Sequence, residues 1–206
     1  MQMSTDSLVG FRMKNIAVYC GSANGNNPAF TDAARALGTA LAARQIGIVY
    51  GGSRFGIMGA VADAALARGG RVVGVIPEGL RNVEVAHAGL AHMHVVGTMH
   101  ERKALMADLA DAFAILPGGI GTMDEFFEIW TWGHLGLHAK PIGILNIAGY
   151  FDPLLTFLEQ MCREGFVGRD TRARVVIETD AVTLLDRLAT TRIEPGTRWT
   201  GPPVSR

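Results

Sequence analysis

Residues Pro117-Gly118-Gly119-Ile120-Gly121-Thr122-Met123-Asp124-Glu125 follow the apolar run Ala112 to Leu116 and lead into Phe126 to Trp132. A short apolar run, a glycine turn and a helix start in that order are the signature of an open α/β sheet, in which a buried strand runs directly into a crossover helix. Three glycines in four positions leave backbone amides uncovered. The helix start adds its own unpaired donors and the positive end of its dipole, so the turn reads as an anion site. A nucleotide is the commonest carrier of phosphate to such a sheet. No Gly-Lys-Ser/Thr follows, so the turn is not a Walker loop. A second reading stays open, in which Thr122 and Glu125 form a capping box and the turn is purely architectural.

The 206 residues, 49% hydrophobic and 18% charged, suffice for one well-filled core. Residues 1–14 read as a flexible leader, 15–190 as a single domain, and 191–206, with three prolines, as a disordered tail. Nineteen basic residues balance nineteen acidic ones, which offers no electrostatic footprint for nucleic acid or an anionic membrane. No stretch is long and apolar enough to span a bilayer, and the first residues hold no signal-like apolar region. A cytoplasmic protein is expected. Cys20 and Cys162, the two cysteines, have no metal or disulfide spacing and read as buried, inert thiols.

Along the chain, Ile16 to Tyr19 reads as the first strand, ending in the small residues Cys20-Gly21-Ser22. Asn27-Pro28 then opens a helix to about Arg44. Gly47 to Tyr50 is a second strand, and Gly51-Gly52-Ser53-Arg54-Phe55-Gly56-Ile57-Met58-Gly59 a second glycine-rich loop, feeding a helix to Arg68. Two such loops at strand ends suggest one shared cleft. Arg71 to Ile76 is a third strand. Glu78 to Met93 reads as a loop or short helix over the cleft, carrying Glu84. His94 to Val96 precedes Thr98-Met99-His100-Glu101, another Thr-x-x-Glu signature, which starts a helix to Ala110. Pro141 to Asn146 and Val175 to Glu178 are further strands, with helices over Tyr150 to Glu164 and Asp180 to Ala189.

Arg102 shares a helix face with Leu105, Met106 and Leu109, an odd place for a solvated charge. The guanidinium either snorkels out of an apolar face or meets an anion beside the phosphate turn. Phe126, Phe127, Ile129, Trp130 and Trp132 crowd one helix, more aromatic surface than a single face buries, and part of it reads as a subunit interface. The histidine pairs 92/94 and 134/138 lack a third ligand, and Gly133 and Gly136 argue against a continuous helix there, so no metal site is expected.

With these residues in view, the sequence resembles the LONELY GUY (LOG) family of cytokinin-activating phosphoribohydrolases, which often carry a lysine decarboxylase label. The likeness runs from Ile16 to Leu188. It is carried by Pro117 to Glu125, matching the family's PGGxGTxxE, and by Met99-His-Glu-Arg-Lys-Ala104, matching MHxRKA. Gly51 to Gly59 is similar to GGGxxGLMG with serine and isoleucine replacing glycine and leucine, and Asp124 stands where many members have glutamate.

The resemblance implies a Rossmann-like three-layer α/β fold with a mostly parallel sheet, in a homodimer that needs neither metal nor cofactor. The implied reaction is hydrolysis of the N-glycosidic bond of N6-modified adenosine 5′-monophosphates, giving free base and ribose 5-phosphate. It assigns catalysis to Arg102 and Glu125. Substrate contacts fall to Glu84, Lys103, Gly118, Gly119, Ile120, Gly121, Thr122, Met123, Asp124 and Thr131; the small residues of the other two loops, Ser22, Gly52, Gly56 and Gly59, are expected from their own chemistry to bind substrate as well. Pyridoxal phosphate needs a Schiff-base lysine, and Lys14, Lys103 and Lys140 are the only lysines. Two alternatives share the motifs: an AMP nucleosidase without a cytokinin role, and a non-catalytic nucleotide carrier or sensor.

Overall fold

A computed structural model describes residues 13–80 and 86–193. Among the described residues, seven strands form one sheet: β1 (Asn15–Tyr19), β2 (Gly47–Tyr50), β3 (Val72–Pro77), β4 (His92–Val96), β5 (Ala112–Ile115), β6 (Ile142–Leu145) and β7 (Val175–Glu178). Every pairing is parallel, in the order β4-β3-β2-β1-β5-β6-β7. The central strands are buried on both faces, which is why they read as unbroken apolar runs rather than alternating ones.

Helices α1 (Pro28–Ala43), α2 (Gly56–Leu66) and α7 (Ala181–Thr190) cover one face, where Leu37, Leu41, Val61, Leu184 and Leu188 pack on Ile16, Val18 and Ile48. On the other face, α3 (Met99–Leu109), α4 (Ile120–Leu135) and α5 (Asp152–Arg163) pack Met106, Phe126, Ile129 and Leu158 on Ala17, Tyr19, Phe113 and Ile144. The short α6 (Arg169–Ala173), which periodicity could not reveal in five residues, joins α5 to β7.

The chain walks outward from β1 to β4, returns beside β1 as β5, and walks outward the other way. That reversal opens a crevice beyond the carboxyl ends of β1 and β5, where α/β sheets bind ligands. Tyr19 pairs with Ile115, so the two loops leave the sheet side by side, tied by Gly21 N–H donating to the Pro117 carbonyl at 3.0 Å.

Several sequence expectations need correction. α4 is longer than its aromatic run, passing through Gly133 and stopping at Gly136, which adopts the left-handed conformation. Phe126, Ile129 and Trp130 are buried within the chain and Phe127 and Trp132 pack partly against the same core, so this helix is not the surplus aromatic face expected. Cys20 is buried as expected, whereas Cys162 is only half-buried. Glu84 lies outside the described residues, as do 1–12 of the leader and 194–206 of the tail.

Candidate active site

α4 begins at Ile120 with Gly119 as its N-cap, and no side chain caps it. Thr122 is therefore the third helical residue and Glu125 the sixth, too deep for the reciprocal bonds of a capping box. The architectural reading of this pair fails on geometry. Both side chains are buried, Thr122 at 3% exposure and Glu125 at 6%, whereas Gly119, Ile120 and Gly121 stand in the open. The Ile120, Gly121 and Thr122 amides donate to no acceptor among the described residues. Gly118 is glycine because of close approach: a Cβ there would lie 2.1 Å from Thr122 Oγ1 and 2.7 Å from the Gly21 nitrogen.

The second Thr-x-x-Glu signature does cap a helix. Thr98 Oγ1 accepts from Glu101 N–H at 3.1 Å, and the Glu101 carboxylate reaches back to Gly97 N–H at 2.7 Å. That cap sets the rotation of α3 and turns Arg102 inward to 3% exposure. Its Nη2 donates to the Gly51 carbonyl at 3.2 Å, so the guanidinium bridges α3 to the loop after β2 instead of snorkelling to solvent.

Lys103 is also buried, its ammonium 2.9 Å from Asp124 and 3.1 Å from Glu128. Burial opposes its charge, but the hydrogen bonds to Asp124 and Glu128 outweigh burial and raise its pKa above the ordinary lysine value. Lys103 thus ties α3 to the first turns of α4. Glu128 went unnoticed in the sequence, although its spacing of four from Asp124 puts both on one helix face.

Tyr19 and Cys20, at the end of β1, sit where they feel both charges. Burial raises the Tyr19 pKa, and Glu125 and Glu128 raise it further against a smaller opposing effect from Arg102. Burial, then Glu125, does the same to the Cys20 thiol, which stays protonated and inert. The Tyr19 hydroxyl is buried without a hydrogen-bond partner among the described residues.

The loop after β2 contributes less than its glycines suggested. At Gly56, φ is +63° and a Cβ would strike the Ser22 backbone at 2.3 Å, while the Ile57 and Met58 amides donate to the carbonyls of Ala23 and Gly21. Packing accounts for these residues, and for Gly59, whose Cβ would meet the Arg54 carbonyl. Gly52 is buried, while Ser22 is exposed on the loop they hold. A separate cleft of about 490 Å³ beside α2, lined by Arg35, Arg54 and Asp63 among others, includes neither Arg102 nor Glu125.

Thr131 is exposed, six residues beyond Glu125 and so about 240° around the helix, and the fold does not bring the two together. Met123 is half-buried against the core, and Asp124 faces Lys103. His134 Nδ1 is hydrogen-bonded to the Thr171 hydroxyl, and both nitrogens of His138 are taken, Nε2 by the Ile129 carbonyl and Nδ1 by the Lys140 amide.

A sequence-family profile described as "Possible lysine decarboxylase" matches residues 58–188. The cytokinin riboside 5′-monophosphate phosphoribohydrolase of Rhodococcoides fascians is 50% identical over 168 residues, covering 81% of this chain and 85% of that protein. The cytokinin riboside 5′-monophosphate phosphoribohydrolase LOG of Oryza sativa subsp. japonica is 47% identical over 166 residues, covering 81% and 68%. Among solved structures, the molybdenum cofactor binding protein from Rippkaea orientalis aligns with a TM-score of 0.65 over 86% of this chain and 96% of its own, at 20% identity. That likeness speaks for the fold.

Proposed function

This chain belongs to the LOG family of phosphoribohydrolases, and from that premise we propose that it hydrolyses the N-glycosidic bond of N6-modified adenosine 5′-monophosphates, releasing free base and ribose 5-phosphate. The observation that carries the reading is the pairing, on one helix, of an open N-terminus with a buried carboxylate. Glu125 lies five residues beyond Ile120, about 7.5 Å along the axis, a reach comparable with that from a 5′-phosphate to the anomeric carbon of the same ribose.

In this reading the phosphate sits against the amides of Gly119 to Thr122, where helix dipole and free donors favour an anion. As the bond from C1′ to the base nitrogen breaks, its electron pair leaves with the base and positive charge grows on the ribose. The Glu125 carboxylate stabilises that charge and takes a proton from the water whose oxygen bonds to C1′. The leaving base gains a proton, so atoms and charge balance. Arg102, anchored on Gly51, holds the nucleotide by charge-assisted hydrogen bonds. Lys103 acts at second hand, fixing Asp124 and Glu128 on the helix that carries Glu125.

A lysine decarboxylase of the pyridoxal phosphate type would need an amine that deprotonates readily. Lys103 is held protonated between two carboxylates, and Lys140 donates to the Ala107 carbonyl at 2.7 Å, so neither fits a Schiff base. Among the described residues no three His, Cys, Asp or Glu side chains group around a metal position, and the reaction as written uses none.

We further propose a homodimer, supported by the exposed apolar side chains of Val95, Met99 and Ile120 and checked by light scattering. A cytoplasmic location, supported by two unpaired cysteines and checked by fractionation, completes the reading, with no nucleic acid or membrane partner. The deciding assay incubates the protein with a panel of nucleoside 5′-monophosphates and the matching nucleosides, and follows free base and ribose 5-phosphate by chromatography. Monophosphates are expected to turn over and nucleosides to be inert. Equal turnover of both sinks the phosphate site, and binding without turnover returns the chain to a carrier.

A further inference from the structure

One part of the crevice wall has no role in the reaction as drawn. Beyond β6 the chain makes a tight turn in which Ala148 holds φ 51°, ψ 31° and Gly149 φ 69°, two successive left-handed residues. For alanine this conformation is disfavoured and persists only when its surroundings enforce it. The enforcement is visible. Buried Asn146 accepts from Phe151 N–H at 2.8 Å and donates to the Asp152 carboxylate at 2.7 Å, closing the turn from within.

The product of this turn is the placement of Tyr150. Its ring is wedged edge-on between Phe30 of α1 and Phe151, with centroids 5.3 and 4.9 Å away, and its hydroxyl donates to the Gly118 carbonyl at 2.6 Å. A carbonyl and the following N–H share one planar trans peptide and point in opposite directions. Holding the Gly118 carbonyl therefore aims the Gly119 N–H away from Tyr150. The preceding peptide is held the same way, because Gly21 N–H donates to the Pro117 carbonyl. Gly119 and Gly121 have no neighbour within 4 Å where a Cβ would stand, so no side-chain packing among the described residues holds their peptides, and the Gly119 carbonyl is tied to Met123 N–H inside the helix.

We infer that Tyr150 is a positioning residue for the anion turn: its hydroxyl, presented by a strained β6 turn, fixes the peptide whose amide faces the substrate phosphate. This rests on the proposed function and adds a residue to its binding half. The test is Tyr150→Phe, which keeps the ring packing and removes only the hydroxyl. KM for a nucleoside monophosphate and the inhibition constant for ribose 5-phosphate should rise together, about 3- to 10-fold, the effect of one hydrogen bond. The turnover number should stay within about twofold, since Glu125 is untouched. A variant with a lowered melting temperature and unchanged KM and inhibition constant would show a structural role only and overturn the inference, while wild-type turnover upheld the proposed reaction. A wild-type protein that neither hydrolyses monophosphates nor binds ribose 5-phosphate would overturn both.

Discussion

The starts of α2 and α4 look alike in sequence, each a glycine-rich loop leaving a buried strand, and the fold uses them in opposite ways. At α2, the Ile57 and Met58 amides are occupied by the carbonyls of Ala23 and Gly21, and Phe55 N–H by the Ser53 hydroxyl. At α4 the first amides face the crevice without a capping side chain. The glycines divide the same way. Gly56 is required by its φ and by contact with Ser22, whereas Gly119 and Gly121 adjoin open space. A glycine loop is thus equally a lock and a receptor, and the backbone opposite it decides which. Here the loop after β1 covers α2 and, by tying back to Pro117, leaves α4 uncovered.

The sharpest break of this comparison is at Glu125, the charged group α4 carries one and a half turns beyond its open end. Glu125→Gln should lower kcat by roughly 10² to 10⁴, the usual scale for a positioned acid–base or charge-stabilising group. Affinity for ribose 5-phosphate should hold within about threefold, since the amides that bind phosphate are elsewhere. Near-wild-type turnover, with product binding intact, would make the buried carboxylate a packing residue.

A carboxylate placed at the cap of α4 asks whether its free amides matter. Gly119→Asp puts a favoured capping side chain at a backbone already extended there, stabilising the fold by a few tenths of a kcal/mol. The same carboxylate takes the amides and repels a phosphate, so KM should rise about 100-fold. Stability and function would then move in opposite directions, which thermal melts and kinetics on one preparation would reveal. An unchanged KM would mean that the anion binds somewhere else.

The corresponding change at α2 should do the reverse. Gly56→Ala forces a side chain into the left-handed region and against the Ser22 backbone, costing about 2 to 4 kcal/mol. In protein that remains folded, KM should stay close to wild type. A denaturation midpoint matching wild type would show that the loop after β1 yields easily and is no lock.

The topology was legible because local chemistry and global burial agree: strands covered on both faces must be continuous apolar runs, and the Thr98–Glu101 cap sits where its spacing says. The inward side of Arg102 followed from its neighbours Leu105, Met106 and Leu109. The start of α4 was not legible, because Thr-x-x-Glu reads the same whether threonine is the cap or the third residue, and the glycine backbone supplied the cap instead. The roles of Gly56 and Tyr150 depend on which loops lie beside them, and those neighbours come from sheet order. The surplus of aromatics on α4 misled for the same reason, since the α6 segment that accepts the Trp130 N–H through Thr171 gave no periodic signal.

The smallest effect concerns His138, just beyond the far end of α4 and outside the residues proposed to bind substrate, and so separates stability from function. His138 donates from Nε2 to the Ile129 carbonyl at 2.7 Å and accepts from Lys140 N–H at Nδ1, which fixes it as a neutral imidazole packed on Phe113. Burial depresses its pKa to about 4; the bond to Ile129 opposes this, and the charges of Lys140 and Arg174 add to it. A depressed histidine pKa means that between about 4 and 6.5 the unfolded chain binds a proton the folded chain refuses. Its contribution is therefore fully present above pH 6.5 and lost as the pH falls toward 4, which should cost about 1 to 2 kcal/mol between pH 7 and pH 5. Carboxylates titrate near the lower end of that range, so the measurement is a difference: denaturant unfolding of wild type and His138→Gln at both pH values. Glutamine can keep both hydrogen bonds without a titrating ring, so the variant should lose less stability on acidification. Parallel losses would mean that protonation finds room at His138 without disturbing α4.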